Sequence, residues 1–493
     1  MPSARKPGRG NGGRAGSCKR GWNPGNVRGS WLSIARPSPR RSVRRSPSRR
    51  QLAAANLAQM AMQVTNAVMV GHLGAVPLAA AGLGNALNAT LLMTSQGLLT
   101  AVAPLAAHSI GAGDHRAAGR VAGGGLIVAT AVAAPMMATL MVVPPLLSGL
   151  GYEPGLVAEI GRFLWAISWG IPGFLGAAVL RFLLIAAFRT RIVMIVPLLA
   201  VPLNLVLNWV LIFGHWGMPA LGSAGSGCAT AIVQWLTLFS FALYMLIARA
   251  RISVSMGRGV RHQIPGILRL GLPIAAMRGL EIGVFVMTGV MMGMIGADAL
   301  AAHQLVFNVA GVCFMVPLGL AQAATVRVAY QLGRSEPSAA RRAAYVALAM
   351  GVLFMTAAAL LLWTTPRILI GFYLDLGDAA NQSTVAIALQ LFVIAALFQL
   401  FDGVQVIAAG ALRGYRDTAV PMLIAAIGYW AIGFVGGWLL AFPLGFGAVG
   451  LWLGLALGLA VVAIALGLRL QSRARLQIRA AETIVLAAGG VRV

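Results

Sequence analysis

Acidic residues are scarce in this chain. Only 11 Asp and Glu stand among 493 residues, against 38 Lys and Arg, and charged residues together make up 10%. With 59% hydrophobic residues and a mean hydropathy of +0.83, a soluble fold of this length would lack the polar surface it needs, which excludes a soluble enzyme. Cysteine is nearly missing too. Cys18, Cys228 and Cys313 are far apart, with neither CxxC nor Cys/His spacing, so neither a disulfide framework nor a zinc site is supported. No HExxH or GxSxG string occurs, and the Gly-rich stretch GAGDHRAAGRVAGGG has no preceding strand, so it is not a phosphate-binding loop.

The net charge of +27 would point to nucleic acid if it were gathered on a folded domain, but its placement argues otherwise. Fourteen of the 38 basic residues fall within positions 1–50, a Ser-, Pro- and Gly-rich stretch without a single acid. That stretch has no apolar run to serve as a signal peptide and reads as a disordered basic tail or as sequence upstream of the true start. No nucleic-acid partner is expected.

Apolar runs long enough to cross about 30 Å of hydrocarbon recur through the rest. Turn signals between them predict helices over 51–71, 77–108, 118–147, 157–186, 193–213 and 222–248, then over 265–295, 299–331, 339–371, 383–411, 418–440 and 447–469. Positive loops stay in the cytoplasm. Arginines gather in the even-numbered connections (Arg116 and Arg120; Arg181, Arg189 and Arg191; Arg249 to Arg269; Arg327 to Arg342; Arg413 and Arg416), whereas the odd ones hold only Arg162 and Arg367. The pattern supports an even number of crossings, with both termini in the cytoplasm; the expected location is the inner (plasma) membrane.

The two sets of six are copies. A shift of 222 residues lays VMVGHLGAVPLAA (68 to 80) on VMMGMIGADALAA (290 to 302) and carries Gly97 to Gly319, Gly111 to Gly333 and Arg120 to Arg342. A shift of 224 or 225 brings Arg189 to Arg413 and Pro197 to Pro421. Because six is even, both copies enter the membrane in the same orientation, and two facing bundles can rock about a central cleft. The expected fold is therefore all-α and integral to the membrane, with twelve transmembrane helices in two parallel six-helix repeats facing a central cleft. Its expected parts are a tail over 1–50, lobes over 51–250 and 265–470, a cytoplasmic linker over 251–264 and a cytoplasmic tail over 471–493.

Nine of the acids lie in loops, near helix ends or in the tail, and two do not. Glu281 stands near the middle of the seventh helix and Asp402 well inside the tenth. A carboxylate at membrane depth costs on the order of 3 kcal/mol, so it marks an ion or substrate path unless a fixed partner neutralises it. For Glu281 that partner would be Arg278, one turn earlier, and both readings stand. Asp402 has no basic residue within a turn. Under the repeat, Glu281 corresponds to Gln59 and Asp402 to Ala178, so cation coupling is expected of the C-terminal half alone, with neutral groups (Gln59, Gln63, Asn66, Asn204, Asn208) opposite. Those amides serve equally as ligands or as glue between helices. Phe398, one turn before Asp402, either packs against neighbouring helices, the commoner role of Phe in a membrane helix, or faces an organic cation, and His303, Gln304 and Asn308 open the eighth helix.

Four strings in order, VMVGHLG, LAAHQ, FQLFDGVQ and ALRGYRDTAVP, resemble the multidrug and toxic compound extrusion (MATE) family over about residues 55 to 470. The resemblance implies a secondary active antiporter, not an enzyme, that exports varied, often cationic amphipathic compounds in exchange for sodium ions or protons. It implies no further cofactor, membrane lipid as the surroundings and a monomer as the working unit. Carried over by motif, Glu281 and Asp402 match the acidic positions used for coupling, and would ligate the metal ion if sodium drives the cycle. Gln63, Asn66, Asn204, Asn208, Arg278, His303, Gln304 and Phe398 are expected to line the cleft. Asn66 departs from the pattern, since many bacterial members carry aspartate there, so no protonation switch is expected in the first lobe. A flippase for lipid-linked saccharides is the alternative, disfavoured because only Arg278 supplies positive charge at depth.

Overall fold

The computed structural model describes Met62 and residues 64–247, 254–257 and 259–489, with side chains described as far as Thr483. The first predicted helix is thus seen only at its end, α1 over 64–71, while the basic tail and Gln59 and Gln63 fall outside the described residues. Eleven further helices among the described residues are long and apolar enough to span a bilayer. In the first half they are α2 (Ala75–Gly111, interrupted for one turn at Thr100 and Ala101), α3 (His115–Gly149), α4 (Pro154–Ala186), α5 (Thr190–Phe213) and α6 (Ser223–Ile247). In the second they are α7 (Arg261–Ile295), α8 (Ala297–Gly333), α9 (Pro337–Thr364), α10 (Ala379–Gly414), α11 (Ala419–Ala441) and α12 (Gly447–Gly489).

Local chemistry sets the ends of these helices. Asp114 caps α3 by accepting from the Ala117 amide at 2.7 Å, and Pro154 and Pro337 open α4 and α9, where no amide hydrogen is needed. α5 stops at Gly214, whose left-handed φ of 76° suits glycine.

Three features differ from the pattern read in the sequence. α12 does not end near 469; the helix continues to Gly489, because Arg469 and Arg473 both reach the buried Asp417 carboxylate, at 2.9 and 2.6 Å, and hold the extension against the α10–α11 turn. α11 changes to π-helix over Ile427–Phe434, a widening that hydropathy does not signal. Arg181, assigned above to a connection, lies within the last turns of α4, its Nε buried and unpaired, with the Phe182 ring 5.7 Å away.

Apolar side chains form two separate buried clusters, one for each repeat. The first is drawn from α1 to α6 with Ile267 and Leu270 of α7 and part of α8, the second from α7 to α12. Helices approach closely where residues are small. Gly437 of α11 lies on Gly454 of α12, and Gly428 and Gly433 lie on Gly458, so the π-helical segment sits backbone to backbone on its neighbour. The two halves meet along α7 against α2 and α2 against α8. At one end Gly111 abuts the Tyr330 carbonyl oxygen and Gly333 abuts that of His108, with no room for a Cβ at either. These two glycines are repeat mates, so the halves close on each other through one self-matching contact.

Candidate functional site

The second half gathers its charges between α7, α10 and α11. Arg278 and Glu281, three residues apart, share a face of α7, and the guanidinium donates to Glu281 Oε2 at 2.8 Å. Glu281 is 9% exposed and Asp402, on α10, 7%. Arg278, Asp402, Arg413 and Tyr429 all lie close enough to Glu281 to feel its charge. Arg413, buried at the end of α10, has no ion partner among the described residues.

Asp402 differs from Glu281 in a decisive way. Among the described residues, nothing donates a hydrogen bond to it. Gln399 and Gln405, three residues to either side on the same helix face, each keep a buried side-chain oxygen without a donor. Their amide hydrogens are spent elsewhere, on the Ala310 carbonyl at 3.1 Å and on the Tyr429 hydroxyl. One face of α10 thus presents a carboxylate and two amide oxygens, all acceptors. Buried acceptors without donors are costly, and a proton or a bound cation would satisfy them.

Against Glu281, and without Asp402, Gln399 or Gln405 in its lining, lies a cavity bounded by Phe285, Phe398, Tyr429, Gly433 and Leu455, of about 10 Å³. That is room for one water-sized group, enough for an ion and too little for an organic compound. Aromatic rings wall it off: Phe398 packs on Phe285 (6.2 Å) and on Trp452 (5.8 Å), and Trp452 donates to His303 Nδ1 at 3.2 Å. His303 and Phe398 are therefore interior groups of the second half. Gln304, the next residue of α8, is exposed, and its carbonyl accepts from Asn308 at 2.9 Å. Tyr429, Gln405, Arg413 and Trp452 were not singled out in the sequence. Tyr429 and Trp452 sit in apolar runs without motif, whereas Gln405 and Arg413 belong to the strings FQLFDGVQ and ALRGYRDTAVP, and the spacing of Gln399, Asp402 and Gln405 marks a polar stripe.

The first half holds a neutral counterpart. Asn208 of α5 donates to Asn66 of α1 at 2.7 Å and to Asn204 at 3.0 Å, and Asn66 donates to Thr230 of α6 at 3.1 Å. Asn204 and Asn208 are fully buried, with Asn204 Nδ2 and Asn208 Oδ1 unpaired. Four polar groups from three helices meet, and none can ionise.

A chain of two duplicated helical halves, each with a polar cluster buried at membrane depth, is built as a multi-pass membrane transport protein rather than an enzyme. The MatE family profile matches residues 52–210 and 273–439, and the chain belongs to that family. It is 42% identical to the multidrug resistance protein NorM of Burkholderia vietnamiensis, over 82% of this chain and 88% of that one. It is 41% identical to a probable multidrug resistance protein NorM of Mesorhizobium japonicum, over 81% and 87%. The fold is shared with the eukaryotic MATE transporter AtDTX14 (TM-score 0.77, 22% identity, 88% of this chain and 97% of that one). It is shared as well with an outward-facing multidrug resistance MATE family transporter of the MOP superfamily (TM-score 0.79, 17% identity, 88% and 96%).

Proposed function

We propose that this protein is a secondary active antiporter that exports varied, often cationic amphipathic compounds in exchange for sodium ions or protons, with Asp402 and Glu281 as the coupling site. The observation that carries this reading is the acceptor-only face of α10, where Asp402, Gln399 and Gln405 offer oxygens and receive no hydrogen bond. Either coupling ion fits it: a proton on Asp402 turns an acceptor into a donor, and a sodium ion takes oxygen ligands directly.

Charge explains why exchange follows. With both carboxylates ionised, Glu281 and Asp402 balance the two positive charges of Arg278 and Arg413, so the unloaded cluster is close to neutral. Uptake of one monovalent cation makes it positive, which disfavours an organic cation held nearby. Ion and substrate therefore exclude one another without touching, provided both act on the same bundle. The bodies that move are proposed as residues 51–250 and 265–470, joined by 251–264, in a monomer of the inner membrane with both termini in the cytoplasm. The lobe around Asn66, Asn204 and Asn208 would follow the charged one. Arg278 is engaged with Glu281, so it is not free to hold the anionic headgroup that a saccharide flippase would carry.

Reconstituted vesicles with separately imposed sodium and pH gradients test the proposal. Gradient-driven export of a fluorescent cation is expected, and Asp402→Asn should reduce it to the level of protein-free vesicles. Wild-type activity with undiminished export in that variant would refute the role given to Asp402.

A further inference from the structure

The two repeats treat one corresponding groove differently. In the first half, Asp114 lies 3.6 Å from Arg120, and the chain after α6 covers the arginine. The Ser255 amide donates to the Gly119 carbonyl at 3.2 Å, Gly124 packs under Val260 and Gln263, and Gly259 sits beside Arg120. The 222-residue shift carries Asp114 to Glu336, Arg120 to Arg342 and Gly124 to Val346. In the second half, however, Glu336 turns to Arg334, at 2.7 Å, and leaves Arg342 without it.

A cavity of about 250 Å³ between α8 and α9 results, lined by Leu320, Arg327, Gln331, Arg342, Val346 and Ala347 among others. No acid lines it. Arg327 and Arg342 have no ion partner among the described residues, and the Gln331 side-chain oxygen is unpaired. From its apolar wall an exposed ridge, Val346, Met350 and Leu353, runs along α9 at helical spacing.

We propose that this cavity binds an anionic phospholipid, its phosphate between Arg327 and Arg342 and one acyl chain along Val346, Met350 and Leu353. Two unpaired arginines at the end of an exposed apolar ridge match a molecule that is anionic at one end and apolar beyond it. Basic pockets between transmembrane helices take such headgroups.

Native mass spectrometry of the full chain in detergent, titrated with phosphatidylglycerol, with phosphatidylcholine of the same acyl chains and with inorganic phosphate, tests this. One tightly held phosphatidylglycerol is expected, with no comparable phosphatidylcholine and no competition from phosphate. The double variant Arg327→Gln, Arg342→Gln should bind about twenty-five-fold more weakly, at about fivefold per arginine. Arg116→Gln with Arg191→Gln, charges outside the cavity, should change nothing. Equal binding of the two lipids, or an unaffected double variant, would overturn the proposal, and competition by free phosphate would assign the site to a soluble anion instead. Should the double variant not fold, two others decide. Arg327→Lys with Arg342→Lys keeps the charge and should keep the lipid, and Val346→Trp fills the apolar wall and should lose it. Unchanged binding in the tryptophan variant would overturn the assignment.

Discussion

At the residue scale, Glu281 and Asp402 have the same chemistry and opposite surroundings. Glu281 is tied to Arg278, so removing either partner strands the other. Because Arg278 keeps 26% side-chain exposure, the cost of Glu281→Gln is expected at about 1–3 kcal/mol, below that of a fully buried pair. Adding Arg278→Gln to that variant should restore most of the lost stability, measured as a double-mutant cycle of denaturation in detergent. Asp402 has no such tie, so Asp402→Asn is expected to keep the fold and lose the coupling. In the first half, Asn66→Asp would put an ionisable group between Thr230 and Asn208. Export should then gain a second titration step, visible in its pH profile; an unaltered profile would show that this cluster is only a joint between helices. Both carboxylates were legible in the sequence, because an acid inside an apolar run stands out. Which of them has a partner was not, since a guanidinium one turn away either reaches or does not.

At the element scale, α11 and α12 carry what hydropathy left out. The π-helical turn at Ile427–Phe434 brings Tyr429 to Gln405, and Trp430 donates to the Leu280 carbonyl at 3.2 Å, next to Glu281. A wider helix needs a thin neighbour, and Gly454 and Gly458 of α12 supply it. The extension of α12 beyond 469 depends on Asp417, a buried carboxylate holding two arginines. Asp417→Asn is expected to cost on the order of 1–3 kcal/mol and to free the helix end. Faster amide hydrogen exchange over residues 471–483, with little change in α7 or α10, would show it.

At the scale of the whole molecule, the halves are sealed where Gly111 meets Tyr330 and Gly333 meets His108. A side chain at either glycine cannot be accommodated, and the clash, at about 1–3 kcal/mol, falls only on the conformation in which these ends touch. Gly111→Val and Gly333→Val should therefore favour the conformation open at this end. Labelling of a cysteine placed at Ser109, with the native cysteines replaced by serine, should quicken by about tenfold, the effect of on the order of 1.4 kcal/mol. An unchanged rate in both variants would mean that this contact does not govern opening.

The sequence by itself determined the membrane, the duplication, the succession of apolar crossings and the two acids at depth, because hydrophobic length, arginine placement and a 222-residue echo are properties of the chain alone. Only the tertiary structure decided that Arg278 takes Glu281 and leaves Asp402 bare, that the oxygens of Gln399 and Gln405 are buried without a donor, and that Arg342 loses the partner its repeat mate keeps. Hydropathy records how much a residue dislikes water; the pairing of a buried polar atom depends on which helix lies opposite, and that is settled by packing.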